Sequence, residues 1–126
     1  MADKIMVVDD DPSIVNLLKE DLRAEGYTIL EGYDGQAVLQ MARQSRPKLI
    51  IMDVNMPAMN GVEALQSLRG AEETKEIPII FLTGESTLRL PRELETAPRV
   101  THLKKPIDLD YLNSVVKDFI VKYPVA

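Results

Sequence analysis

The sequence predicts an α/β fold: a five-stranded parallel sheet in the order 2-1-3-4-5, doubly wound, with helices on both faces. Three observations point there. Short apolar runs alternate with stretches of helical spacing five times along the 126 residues, and repeated β-α units imply a parallel sheet covered on both sides. The runs at 5–8 (IMVV), 49–53 (LIIMD) and 77–82 (IPIIFL) are apolar almost throughout, as strands buried on both faces are, so they belong in the middle. The runs at 27–31 (YTILE) and 100–104 (VTHLK) are partly polar and suit the edges. The order 2-1-3-4-5 satisfies both conditions.

Each element has its own local warrant. After the first run, Asp11 is a candidate N-cap and Pro12 suits the first turn of a helix. Ile14, Leu17, Leu18 and Leu22 repeat at helical spacing up to Gly26, a natural stop. Asp34 and Gly35 signal a turn; Val38, Leu39 and Ala42 mark a second helix closed by Pro47. Asn60 and Gly61 introduce a third, carrying Val62, Leu65 and Leu68 and ending near Gly70. Residues 71–76 are a charged loop. Pro91 would break a helix begun at Thr87, so the fourth helix is expected to be short and irregular, over 91–97. A last helix starts near Asp108, with Leu109, Leu112, Val116, Phe119 and Ile120 on one face, and Pro124 ends it.

Composition narrows the function classes. At 126 residues the chain is expected to be one domain, residues 1–126, large enough to bury a core. It has no cysteine, hence no thiolate metal site and no cysteine nucleophile. A net charge of −5 argues against direct binding to nucleic acid. No stretch approaches the roughly 20 apolar residues of a membrane span, and the N-terminus is no signal peptide, so a cytoplasmic protein is expected.

The predicted topology brings the ends of strands one, three and four side by side. They carry Asp9 and Asp10, Asp53, and Thr83, with Lys105 after strand five. In open α/β sheets ligands bind outside these carboxyl ends. Packed carboxylates repel: at about 4 Å and an effective dielectric near 20, each pair costs about 4 kcal/mol. A cation relieves that cost, and an all-oxygen set favours a hard ion, Mg²⁺ above all, with Mn²⁺ as a substitute. Taken singly, Asp9 to Asp11 also read as a turn and helix cap, Thr83 as a turn residue and Lys105 as a solvated loop. Together they suit phosphoryl transfer, with Asp53 as nucleophile and Thr83 and Lys105 on the phosphoryl oxygens.

At these residues the chain resembles, over essentially its full length, a CheY-like receiver domain of a two-component response regulator. The resemblance rests on VVDDDP at 7–12, IMDVNMP at 51–57, Asn60 with Gly61, FLTG at 81–84 and KKP at 104–106. It implies the flavodoxin-like fold and a phosphoryl acceptor at Asp53, charged by a histidine kinase or histidine phosphotransfer protein, rather than an enzyme with turnover. It implies Mg²⁺ held by the side chains of Asp10 and Asp53, by Asp9 through water and by the backbone carbonyl of Asn55. Lys105, preferred over Lys104 because it adjoins proline, would pair with the phosphoryl group across a cis Lys105–Pro106 bond. Gly84 would leave room for a phosphoryl oxygen.

The resemblance further implies a switch that couples the Thr83 hydroxyl to a side chain on strand five, and signalling to a downstream protein or output domain that the sequence does not name. The matching position is His102 where the family has Tyr or Phe; it reads either as a half-exposed edge residue or as a smaller, polar toggle. The family's regular fourth helix is interrupted by Pro91 and Pro98. Lys48, where an acid is common, reads as surface variation. Three rivals share parts of the pattern. A flavodoxin-like cofactor binder would need a phosphate-cradling loop after strand one, where three aspartates stand. An aspartate-nucleophile phosphatase would carry its nucleophile on strand one. A docking module that is never phosphorylated would not need the full acid, hydroxyl and lysine set.

Overall fold

The computed structural model describes residues 2–54, 56, 60–84 and 91–125. Strands and helices alternate along them: β1 (Lys4–Val8), α1 (Pro12–Ala24), β2 (Thr28–Gly32), α2 (Gly35–Ser45), β3 (Leu49–Asp53), α3 (Gly61–Arg69), β4 (Ile79–Thr83), α4 (Arg92–Glu95), β5 (Val100–Lys104) and α5 (Leu109–Lys122). The strands form one sheet in the order β2-β1-β3-β4-β5, and every neighbouring pair is parallel. The expected order and the expected edge strands are both observed.

Side chains alternate across each strand, so a central strand feeds two cores at once. On one face Met6, Val8, Ile50, Met52 and Phe81 meet α2 and α3, together with Leu94 of α4. On the other, Ile5, Val7, Leu49, Ile51 and Leu82 meet Val15, Leu18 and Leu22 of α1 and Leu112 and Val116 of α5. All five residues of β3 and of β4 are buried. Full burial of a side chain such as these stabilises by about 1.5–3 kcal/mol, which makes the strand ends rigid supports.

The four long helices each open on a side-chain cap. The Asp11 carboxylate accepts from the Ser13 N–H at 2.9 Å, and the Asp34 carboxylate from the N–H groups of Gln36 and Ala37. The Asn60 amide oxygen accepts from Glu63 at 3.0 Å, and Asp108 from Tyr111 at 3.1 Å. These caps satisfy N–H groups that a helix start leaves unpaired. α4 lacks one: it opens after Pro91 with no side-chain hydrogen bond and runs four residues, with Leu94 as its buried anchor. The expected short fourth helix is therefore observed, at 92–95 rather than 91–97.

Three details depart from expectation. In α1 Val15 is fully buried, packed in the core with Ile5 and Val7 of β1, whereas Leu17, expected on the inward face, is 44% exposed. β4 begins at Ile79 and extends through Thr83, because Pro78 has no N–H to give the ladder. Lys48 is no mere surface variation: its Nζ donates to the Val125 carbonyl at 2.6 Å, a bond that an acid could not make.

Gly61 opens α3 against the sheet. A Cβ there would stand 3.0 Å from Cε1 of Phe81 and 3.2 Å from Cδ1 of Leu94, tighter than most packed contacts. Gly61→Val is expected to overpack this contact and lower stability by about 1–3 kcal/mol. The check is a lower urea midpoint at unchanged slope.

Candidate functional site: an acid cluster at the strand ends

The acids and the lysine reach one place because four parallel strands end there. Asp53 is the last residue of β3 and Thr83 the last of β4. Asp9 and Asp10 follow β1, and Lys105 follows β5. One carboxylate oxygen from each of Asp9, Asp10 and Asp53 lies within 4.8 Å of the others. Asp9 is fully buried, Asp53 is 7% exposed, and Asp10 faces solvent. The cluster thus has a dry floor and an open rim.

Asp9 is held at its backbone N–H and at both carboxylate oxygens. Its N–H donates to the Gly32 carbonyl at 3.1 Å. Its Oδ1 accepts from the Asp11 N–H at 2.9 Å, and its Oδ2 from Lys105 Nζ at 2.9 Å. The same ammonium donates to Asp53 Oδ2 at 3.3 Å. Lys105 is itself fixed by its backbone, whose N–H donates to the Thr83 carbonyl at 2.7 Å. The Lys105–Pro106 bond is cis, as the resemblance implied. Lys104, the rival, is exposed.

Burial alone would pull the Lys105 ammonium toward neutrality. The hydrogen bond to Asp9 and the charges of Asp53 and Asp9 outweigh it, so its pKa stands above the ordinary 10.5. What this pairing adds to stability is complete below that ordinary value and is lost as pH rises through the higher folded one. The lysine is charged throughout the neutral range. Asp11 is turned aside: the Ser13 hydroxyl donates to its carboxylate at 2.7 Å and, as the largest cause, holds its pKa below 3.8. The third aspartate of the run is a helix cap, not part of the cluster.

The donor set fits a hard cation. The oxygens are all carboxylate, they converge, and the positive group already among them is an ammonium bridging two of the three. Asn55, whose carbonyl the resemblance adds to the ligands, lies outside the described residues. The Thr83 side chain is buried, and its hydroxyl donates to the Leu103 carbonyl at 3.4 Å rather than to the cluster. His102 pairs in register with Phe81 and is exposed, so it is more open than the half-exposed edge residue expected. Sequence reasoning missed the Asp11 N–H and the Gly32 carbonyl, which orient Asp9. Backbone groups leave no residue-type signal.

Similarity to known proteins agrees with this geometry. The family model of the response regulator receiver domain matches residues 5–117. Sporulation initiation phosphotransferase F of Bacillus subtilis is 32% identical over 120 residues, 95% of each chain. The chain spans about half (52%) of a longer relative, the transcriptional regulatory protein YrkP of the same species, at 34% identity. Among solved structures, the chemotaxis response regulator CheY4 of Vibrio cholerae superposes with a TM-score of 0.85 at 30% identity, covering 94% of this chain and 99% of that one. The receiver domain of the sensor histidine kinase PA1611 of Pseudomonas aeruginosa, which has a magnesium ion coordinated in its active-site cleft, matches with a TM-score of 0.85 at 28% identity over 95% of this chain and 98% of its own. With a family match across nearly all of its sheet and helices, and a relative of the same length at 32% identity, this chain belongs to the response regulator receiver domain family.

Proposed function

We propose that Asp53 is the phosphoacceptor of this receiver domain, served by Lys105 and Thr83, with Asp10 and Asp53 holding a divalent cation by their side chains and Asp9 holding it through water. The observation that carries this reading is the Lys105 ammonium, 2.9 Å from Asp9 and 3.3 Å from Asp53 at the mouth of the strand ends. A carboxylate fixed by a rigid strand, with a fixed cation beside it, is set up to attack phosphorus and to tolerate the charge that arrives.

The donor is a phosphohistidine of a histidine kinase or histidine phosphotransfer protein. An Asp53 oxygen forms the new P–O bond as the P–N bond breaks, and the imidazole nitrogen keeps the electron pair. Lys105 balances the charge spread over the phosphoryl oxygens. Mg²⁺, or Mn²⁺ in its place, supplies further neutralisation of those oxygens when bound. Thr83 gives up its 3.4 Å bond to Leu103 and donates to a phosphoryl oxygen. That rotation empties space beside β5, and His102 is the switch residue that responds, passing the signal to a downstream protein or output domain. The domain acts as a phosphorylated carrier in the cytoplasm rather than as an enzyme with an external substrate, and binds neither nucleic acid nor membrane directly. Among the described residues no helix is long and apolar enough to cross a membrane.

Three outcomes are expected. Acetyl phosphate with Mg²⁺ adds one phosphoryl group to the protein by intact mass, and Asp53→Asn abolishes the addition; undiminished labelling of the variant would remove Asp53 from its role. Lys105→Met leaves two carboxylates without their shared ammonium, so Mg²⁺ binds about tenfold more tightly, a gain of about 1.4 kcal/mol, while phosphoryl uptake falls; calorimetric titration reads the first and mass the second. His102→Ala keeps phosphoryl uptake but shrinks the amide shift changes that phosphorylation causes in α4. Identical shifts in both proteins would end the switch assignment.

A further inference from the structure

Residues 123–125 follow α5 without leaving the domain. α5 packs on one face of the sheet through Leu112 and Val116, whereas Val125 packs against the core of the other face. The chain therefore crosses the end of the sheet between them. Two side chains hold the crossing. The guanidinium of Arg99 lies 5.2 Å from the centroid of the Tyr123 ring, which also meets Phe119 edge-on at 5.1 Å and has the neighbouring Lys122 Nζ 5.4 Å from its centroid. Lys48 Nζ donates to the Val125 carbonyl at 2.6 Å. Lys48 precedes β3 and Arg99 precedes β5. The crossing thus lies at the N-terminal end of the strands, opposite the acid cluster.

Arg99 is an unusual residue to find there. Its φ of 61° is in the left-handed region, which a residue with a Cβ occupies only where its surroundings hold it. Three contacts do so. Its carbonyl accepts from the Ile79 N–H at 2.9 Å, its Nη1 donates to the Glu76 carbonyl at 3.3 Å, and its guanidinium stands over the Tyr123 ring. The first two belong to the sheet and its preceding loop; the third belongs to the tail. Directly upstream is α4, four residues without a side-chain cap.

We propose that residues 123–125 are a strap that fixes the turn between α4 and β5 from the far end of the sheet, through Tyr123 on Arg99 and Lys48 on Val125. Lifting the strap frees Arg99 to leave its left-handed conformation, and α4 loosens without any change at Asp53. The identity of Lys48 follows from the same contact, since an acid there would face a carbonyl oxygen. Any binding event that draws the tail away then acts on α4.

The test is solvent exchange of backbone amides by NMR on the unphosphorylated full chain, so its failure would leave the phosphoacceptor reading intact. The amides of Leu94, Glu95 and Thr96, which donate to the carbonyls of Pro91 and Arg92, report on α4. In Tyr123→Ala and in Lys48→Met they are expected to exchange about tenfold faster, the effect of losing roughly one cation–π or charged hydrogen-bond contact. Tyr123→Phe keeps the ring and is expected to exchange at the wild-type rate, as are the β1 amides in every variant. Unchanged α4 exchange in Tyr123→Ala overturns the proposal. So does a uniform rise that includes β1, which would make the tail a contributor to global stability alone, and so does a Phe variant as fast as the Ala variant.

Discussion

Asp9 and Asp53 end neighbouring strands of one rigid sheet and share the ammonium of Lys105. Most of the molecule can be understood from that contact. Carboxylates brought this close repel by several kcal/mol at the dielectric of a protein surface. They stay together because β1 and β3 are buried on both faces and cannot splay, and because a cation is delivered from β5. The lysine arrives by backbone as well as by charge, through the Lys105 N–H on the Thr83 carbonyl. Fold and site are therefore one construction. The two hydrophobic cores generate the convergence that the electrostatics must then relieve.

That construction also explains why the cluster is receptive. Asp9 is oriented, with one oxygen on the Asp11 N–H and the other on Lys105, whereas Asp10 stands in solvent at the rim. The cluster thus combines one preoriented acid, one strand-end acid and one exposed acid. A site of three buried carboxylates would cost far more to keep empty; a site of three exposed ones would have no preferred geometry.

How much of this was legible in the sequence follows from the kind of signal involved. The sheet order could be read because central strands must be apolar on both faces, as 49–53 is, while an edge strand such as 100–104 can carry Thr101, His102 and Lys104. The members of the cluster could be read because topology alone sends strand ends to one side. The orientation of Asp9 could not, since it rests on backbone groups of Asp11 and Gly32. Nor could the inward face of α1, because Ile14, Val15, Leu17 and Leu18 offer two overlapping apolar stripes and only packing against β1 decides between them. Lys48 was misread for a related reason: its partner is a carbonyl 77 positions away, and no pattern in the sequence links the two.

The two ends of the sheet differ in how they are held. At the C-terminal end polar groups converge and are balanced by charge. At the N-terminal end residues 123–125 pass from one core to the other, and their contacts to the turns before β3 and β5 are a ring against a guanidinium and one hydrogen bond. α4 lies between these ends and has little holding strength of its own: one buried leucine, no cap and a proline at its start. An element so lightly anchored takes its position from its neighbours. Leu94 of α4 packs in one core with Phe81 beside Gly61, and the Arg99 carbonyl ties the turn after α4 to β4, so the position of α4 is set by the sheet that carries it.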